Sequence, residues 1–489
     1  MSMLMVVLAS IVLVPQPTRL VEGTGTCPTG AVVRAVTDAA IPSEGYRLSV
    51  RPDEIVIASS DVAGRFYAEQ TLAQLRDGAA YPCVEIEDAP AFRWRGFMLD
   101  EGRHFFGKEV VRRLLDAMAM HKLNVLHWHL TEDQGWRIDV PGLPELAQYG
   151  SVRPSSPLRG ATLRRLPGRY GYAIDQNTEP YGPYFYTRDD LKEIVDYAAA
   201  RHVTVVPEID LPGHTLAALA AYPNLACVPT NIVPRAAGTV WGIYPDVLCL
   251  GNDETVRFIE KVLDFVCEVF PSKVIHIGGD ECPSVRWETC PKCRARMARE
   301  GLSKPAELQT WITRKMSAHL EKKGRRLMGW DEILNGELPK SAIGQSWRMA
   351  SGEGAGHALV SGAAGAMRGH DMVMSPYRLT YYAIKQGLKD DPFARDGGVL
   401  TLEMAYSYDP LAGVPEEARA RVLGGEGCLW SEYIWNEHDL AWRAWPRACA
   451  LAEVLWSNPT PRDYADFRRR MDTHRPRLLR ALINCAPME

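Results

Sequence analysis

From Phe92 onward, eight apolar runs of strand length alternate with amphipathic helical segments, and this alternation restricts the fold more than any other feature of the chain. The runs are FRWRGFMLD (92–100), LNVLHWHL (123–130), VTVVPEI (203–209), KVIHIGG (273–279), RRLMGW (325–330), AIGQSW (342–347), DMVMS (371–375) and GGEGCLW (424–430). Helical patterns lie between most of them, among them Glu109–His121, Arg188–Arg201, Glu254–Phe270 and Pro305–Lys323. Buried strands alternating with helices build parallel sheets, and eight of them predict a closed (β/α)8 TIM barrel of the α/β class rather than an open sheet. Two last helices, about Asp439–Trp456 and Pro461–Leu482, cover the barrel.

Ahead of the barrel, short alternating strands (AVVRAV, YRLSVRP, EIVIAS) and one helix (GRFYAEQTLAQL) predict a small α+β module. It closes at the Asp88-Ala89-Pro90 turn. The expected division is 1–10 as a residual export signal or tag, 11–90 as the small domain, and 91–489 as the barrel with its C-terminal helices. A chain of 489 residues holds both units. The apolar start Met1–Val14 is too short to span a bilayer and lacks a basic flank. It reads as a shortened export signal, so a periplasmic, cell-surface or secreted location is expected. No other stretch is a transmembrane candidate.

The net charge of −4 comes without any long like-charge block, which argues against a nucleic-acid partner. Nothing in the sequence requires assembly beyond a monomer or homodimer, or calls for a cofactor. Eleven cysteines is an odd count. Cys290-Pro-Lys-Cys293 is half of a zinc motif, but no second Cys-x2-Cys or His-x3-His follows at the usual spacing. The preferred reading of Cys282, Cys290 and Cys293 is therefore local thiols or a loop disulfide, with no metal site. Cys227 and Cys249 flank a loop that they could bridge. The glycine run Ser351–Gly356 lacks the Lys-Ser/Thr end of a phosphate loop.

A barrel gathers its chemistry at the C-terminal ends of its strands. There the sequence places Asp100 and Arg103 (LDEGRHFF), then HWHLTEDQGW, PEIDLPGH, HIGGDE, GWDE, QSW and LWSE. His127 and His129 share a strand face and read as interior histidines held by neighbours rather than a metal pair. The sharpest feature is Asp280-Glu281 after Gly278-Gly279. Glycoside cleavage needs an acid for the leaving oxygen and a second group to trap the oxocarbenium-like centre, usually carboxyls about 5–5.5 Å apart in retaining enzymes. Sequence neighbours diverge, so this pair suits a route in which the substrate's own 2-acetamido group attacks. Glu281 is then the acid and Asp280 the carboxylate that orients and stabilises the acetamido nitrogen. This division of labour expects Glu281 to be protonated near neutrality, through partial desolvation and its neighbour, and Asp280 to be ionised.

The motifs LDEGRHFFG, NVLHWHLTEDQGWR, VPEIDLPGH, HIGGDE, GWDEIL, QSW and CLWSE, in that order over Phe92–Ser457, resemble glycoside hydrolase family 20, the β-N-acetylhexosaminidases. Residues 11–90 are similar to the small module that precedes that family's barrel. The resemblance implies a glycan substrate with a terminal β-N-acetylhexosamine. It assigns Glu281 as acid/base, Asp280 as the acetamido-holding carboxylate and Tyr381 as donor to the acetamido carbonyl. It also implies that Arg103 and Glu432 grip O3 and O4, that Trp330, Trp347 and Trp430 wall the pocket, and that His214 supports the glutamate. Two positions depart from the pattern. Glu132 stands where an Asp is common, one methylene longer, and is expected to pair with His214. Ala383 stands where an acidic or amide side chain near the sugar O6 is frequent. With Arg378 and Lys385 nearby, it marks a possible site for a 6-sulfate.

Overall fold

The computed structural model describes residues 11–488 apart from 158–162, 165–171, 174–175, 178, 234, 349–361, 389–394 and 458–460. The segment 1–10 assigned to an export signal and the glycine run 351–356 lie outside the described residues.

Eight parallel strands close into one barrel in chain order. They are Trp94–Asp100, Val125–His129, Thr204–Glu208, Val274–His276, Arg326–Trp330, Ile343–Ser346, Asp371–Met374 and Val422–Leu429, numbered here one to eight. Strand eight pairs with strand one and completes the circuit. Each coincides with an expected run, and the fold class is the expected one.

The helices between them follow from local sequence. Arg188–Ala199 starts at a capping box between Thr187 and Asp190, which satisfies two otherwise orphaned amides. Asp253–Val269 is capped by Asn252 and buries Phe258, Ile259, Val262 and Val266, the three- and four-residue spacing of a core-facing stripe. The single helix expected over Asp439–Trp456 is two, Glu437–Ala444 and Arg447–Trp456. Pro446 lies at the break, where it lacks the amide needed to continue the first helix.

The small module is a five-stranded sheet in the order Arg19–Pro28, Ala80–Asp88, Tyr46–Val50, Glu54–Ser59, Val32–Thr37, with the helix Val62–Leu75 packed against it. Alternate residues Tyr46, Leu48 and Val50, with Ile55 and Ile57, form its buried face. Arg19–Pro28 and Ala80–Asp88 add to the three expected strands; the first is an edge strand, mostly solvent-facing, without apolar alternation. Lys122 meets Asp88 at 2.9 Å in a buried ion pair at the junction with the barrel, and the Trp456 indole donates to the same carboxylate at 2.9 Å. Val12–Val14 are also buried here, with Val14 exchanging hydrogen bonds with Gln74 and the Leu13 carbonyl accepting from Arg470. The end of the apolar start is therefore part of the folded core. No described helix is long and apolar enough to cross a membrane.

Period-two alternation stacks the barrel interior in layers. Trp94, Val125, Val206, Met328, Ile343 and Val373 form an apolar plug towards the N-terminal ends of the strands. Above it come His127, Glu208, His276, Gln345 and Glu426, all fully buried. Packing alone does not require such a polar layer. It carries the site.

Candidate active site

His127 contacts Glu426 at 2.7 Å and Glu208 at 2.9 Å, and His129 contacts Glu208 at 2.5 Å. Burial alone would keep His127 neutral, but the Glu426 and Glu208 carboxylates push it up to about 9. The two histidines are thus interior groups held by carboxylates, as expected. Glu208 also accepts from the Trp330 indole at 2.9 Å, so the polar layer fixes the floor of the pocket.

Above the floor, Glu132 lies 2.7 Å from His214 Nδ1, 3.1 Å from Arg103 and 3.2 Å from His129. The extra methylene relative to Asp is accommodated, and the expected pairing with His214 is present. At 1% side-chain exposure, however, Glu132 lies beneath Arg103 and His214. It positions those two side chains rather than offering a surface to a sugar. Asp133 holds His214 Nδ1 at 3.1 Å and caps the following turn through the Leu216 amide. Burial opposes a charge on His214, yet Glu132 and Asp133 hold its pKa well above the ordinary histidine value. Its Nε2 then faces Asp280 at 3.8 Å and Glu281 at 3.7 Å.

Strand four ends in a left-handed coil: φ is +63° at Gly278, +90° at Gly279 and +40° at Glu281. A Cβ on Gly278 would lie 1.9 Å from Asp210 Oδ1, which accepts the Gly279 amide at 3.0 Å. Glycine is required there by both clash and conformation. Glu281 and His214 (φ +49°) hold left-handed conformations that are costly for residues with side chains, as is common at functional sites. The coil turns the adjacent carboxylates to different surroundings. Asp280 is 13% exposed and Glu281 36%.

That difference corrects the expectation that Asp280 is simply ionised. Burial, reinforced by the Glu332, Glu281 and Glu208 carboxylates and opposed by His214, pushes Asp280 up to about 7. Desolvation therefore acts on the aspartate. Asp280 Oδ1 is buried without a hydrogen-bond partner among the described residues.

An aromatic cage stands at the same end of the barrel. The Tyr381 and Trp347 rings are nearly parallel, 6.3 Å apart, and Trp430 lies 6.0 Å from Tyr381 and 5.7 Å from Trp330. The Trp347 indole donates to Glu332 at 3.1 Å. Arg103 sits 4.9 Å over the Trp430 ring and 3.4 Å from Asp100. Burial would weaken its charge, but Glu132, Asp100 and Glu432 keep it firmly protonated. The structure thus brings Arg103, Glu132, His214, Asp280, Glu281, Trp330, Trp347, Tyr381, Trp430 and Glu432 to one end of the barrel. On the Tyr381 segment, Ala383 is buried, whereas Arg378 and Lys385 are exposed.

Sequence reasoning missed Glu208, His276, Glu332 and Glu426. A signal existed: each occupies a barrel strand or its C-terminal end, where a core would carry apolar side chains. Reading those positions by strand period would have flagged them.

A parallel barrel with adjacent carboxylates and an aromatic cage at the C-terminal end of its strands is the architecture of a barrel glycoside hydrolase. The family model for the glycosyl hydrolase family 20 catalytic domain matches residues 92–459, and that for the family's domain 2 matches residues 8–89. The chain belongs to glycosyl hydrolase family 20. A β-hexosaminidase of Porphyromonas gingivalis is 39% identical over 92% of this chain, which spans 55% of that longer relative. One of Akkermansia muciniphila is 33% identical over 96% of this chain and 90% of its own length. Among solved structures, a β-N-acetylhexosaminidase superimposes with TM-score 0.81 at 31% identity, covering 96% of this chain and 95% of that one. The Vibrio harveyi exo β-N-acetylglucosaminidase in complex with N-acetylglucosamine matches with TM-score 0.82 at 29% identity, over 97% and 78%.

Proposed function

We propose that this chain is an exo-acting, retaining β-N-acetylhexosaminidase that removes terminal non-reducing β-linked N-acetylglucosamine or N-acetylgalactosamine by substrate-assisted catalysis. The observation that carries this reading is the buried Asp280 Oδ1, without a hydrogen-bond partner among the described residues, at the barrel end that also carries Tyr381 and the tryptophan cage. A buried acceptor without a partner is costly, and an acetamido N–H supplies the missing donor. Glu281 protonates the glycosidic oxygen while the acetamido carbonyl oxygen, held by the Tyr381 hydroxyl, attacks C1. The C1–O bond to the aglycone breaks and a cyclic oxazolinium forms. Asp280, ionised once it receives the N–H, stabilises the positive charge on that nitrogen. Glu281, now a carboxylate, takes a proton from the water that attacks C1, which regenerates the acetamido group with net retention. Protonated His214 steadies both carboxylates. Arg103 and Glu432 grip O3 and O4 and leave no room for a further sugar, so the action is exo.

The test compares aryl β-N-acetylglucosaminide with the aryl β-glucoside that lacks the acetamido group. Removing the internal nucleophile should lower kcat/KM on the order of 10³-fold or more. Comparable rates on both would point to a conventional two-carboxylate glycosidase.

The reading extends to O6. A carboxylate at position 383 would repel a 6-sulfate at a cost on the order of several kcal/mol in a half-buried pocket. Ala383 removes that repulsion, and Arg378 and Lys385 are exposed cations on the same segment. A 6-O-sulfated N-acetylglucosamine is therefore tolerated, with kcat/KM within about tenfold of the plain aryl glycoside, and Ala383→Asp selectively depresses the sulfated substrate. A sulfated substrate slower by about a hundredfold, with no widening in Ala383→Asp, would overturn this extension.

A further inference from the structure

Of the cysteines read as local thiols or a loop disulfide, Cys290 and Cys293 converge with Cys227 and Cys249 on one point, and Cys282 lies outside the group. Cys227 Sγ lies 3.7 Å from Cys293 Sγ, and Cys249 Sγ lies 3.7 Å from Cys290 and 3.8 Å from Cys293. All four sulfurs lie within 4.8 Å of one another, and none of the chain's eleven cysteines is bridged. The bridge considered between Cys227 and Cys249 is absent. Each is instead drawn to the Cys290–Cys293 turn.

The geometry is that of a tetrahedral thiolate cage. Four sulfurs held about 2.3 Å from a central zinc ion stand roughly 3.8 Å apart. A disulfide would need sulfurs about 2.05 Å apart in exclusive pairs. Here Cys249 and Cys293 each have two sulfur neighbours at nearly equal distance. The supporting backbone is built for close approach. Cys290 precedes Pro291 at the start of the helix Pro291–Glu300, so Cys290 and Cys293 lie on its first turn. Cys249 follows Leu248, which is bridged to Ala226, and this brings Cys249 near Cys227. Gly251 packs directly on the Cys290–Cys293 turn: a Cβ there would lie 2.1 Å from the Lys292 carbonyl carbon. Cys249, Cys290 and Cys293 are buried and Cys227 is partly so. Such a cage is closed and offers no open position for catalysis.

We propose that Cys227, Cys249, Cys290 and Cys293 form a structural zinc site. The missing half of the Cys-x2-Cys motif is supplied by two cysteines 22 positions apart, which linear spacing does not reveal. The site joins the segment after strand three to the segment after strand four, the one that carries Glu281. Two neighbouring contacts run along the same seam: the Arg286 guanidinium on Asp246, at 2.8 and 3.1 Å, and the Trp287 indole on the Leu248 carbonyl, at 2.9 Å. The inference is independent of the glycosidase reading.

The direct test is elemental analysis of the full chain purified without chelator or added metal, together with intact-mass measurement after alkylation under denaturing conditions. The proposal expects about one zinc per chain, four alkylatable thiols from these cysteines once the protein is unfolded, and a lowered Tm after treatment with a strong zinc chelator. Cys227→Ser and Cys290→Ser should each lose the metal, whereas Cys83→Ser, in the small module, should keep it. The wild-type metal content decides the matter even if a variant fails to fold. Metal-free protein with these cysteines paired in disulfides, metal-free protein with four free thiols, or stoichiometric iron in place of zinc would each overturn it.

Discussion

Glu281→Gln is expected to lower turnover about 10²–10⁴-fold on substrates with poor leaving groups, and far less on activated aryl glycosides. The amide keeps the shape of the side chain but cannot donate the proton that an alcohol-like leaving group needs. A nitrophenolate leaves with little help, so the loss should shrink as the leaving-group pKa falls. The structure gives the substitution a clean reading. Glu281 is the more exposed of the two carboxyls, and its ion-pair contact is with His214 Nε2 at 3.7 Å, which the amide can still approach. Equal loss on good and poor leaving groups would remove Glu281 from the role of acid.

The second large effect is expected at Asp280. Asp280→Asn should depress turnover by about 10²–10³-fold on every substrate, activated or not, because it weakens formation of the oxazolinium rather than departure of the leaving group. Tyr381→Phe should act in the same direction through the acetamido carbonyl. A thiazoline mimic of the oxazolinium should bind wild type far more tightly than either variant. The raised pKa of Asp280 fits this role. In the free pocket its charge is poorly solvated, and a substrate N–H followed by a developing cation restores what burial removed. A stable covalent adduct of the sugar with a protein carboxylate, seen by mass spectrometry, would sink this account.

The two predictions rest on features legible to different degrees in the sequence. Strand-length apolar runs made the barrel visible, because strands buried on both faces carry a signal that survives without partners. The strand-end rule then located Asp280, Glu281 and Arg103. Two things stayed hidden. Glu208, His276 and Glu426 look like stray polar residues in apolar runs until the barrel closes and they meet one another. The cysteine cluster was hidden because its halves lie on segments after different strands, and sequence spacing says nothing about which segments touch. The strand Arg19–Pro28 escaped because an edge strand facing solvent need not alternate. Asp280 shows a further limit. Its identity was readable, but its titration depends on which of two adjacent carboxylates the left-handed coil at Gly278–Gly279 turns inward.

The central claim is that the nucleophile belongs to the substrate. It is tested most directly by kcat/KM on a series of 4-nitrophenyl β-glucosaminides whose N-acyl group is acetyl, fluoroacetyl, difluoroacetyl and trifluoroacetyl. Fluorine withdraws electron density from the carbonyl oxygen and scarcely changes its size. If that oxygen attacks C1, kcat/KM falls steeply along the series, by about tenfold or more in total. A flat series would contradict the account and return the attacking role to a carboxylate of the protein.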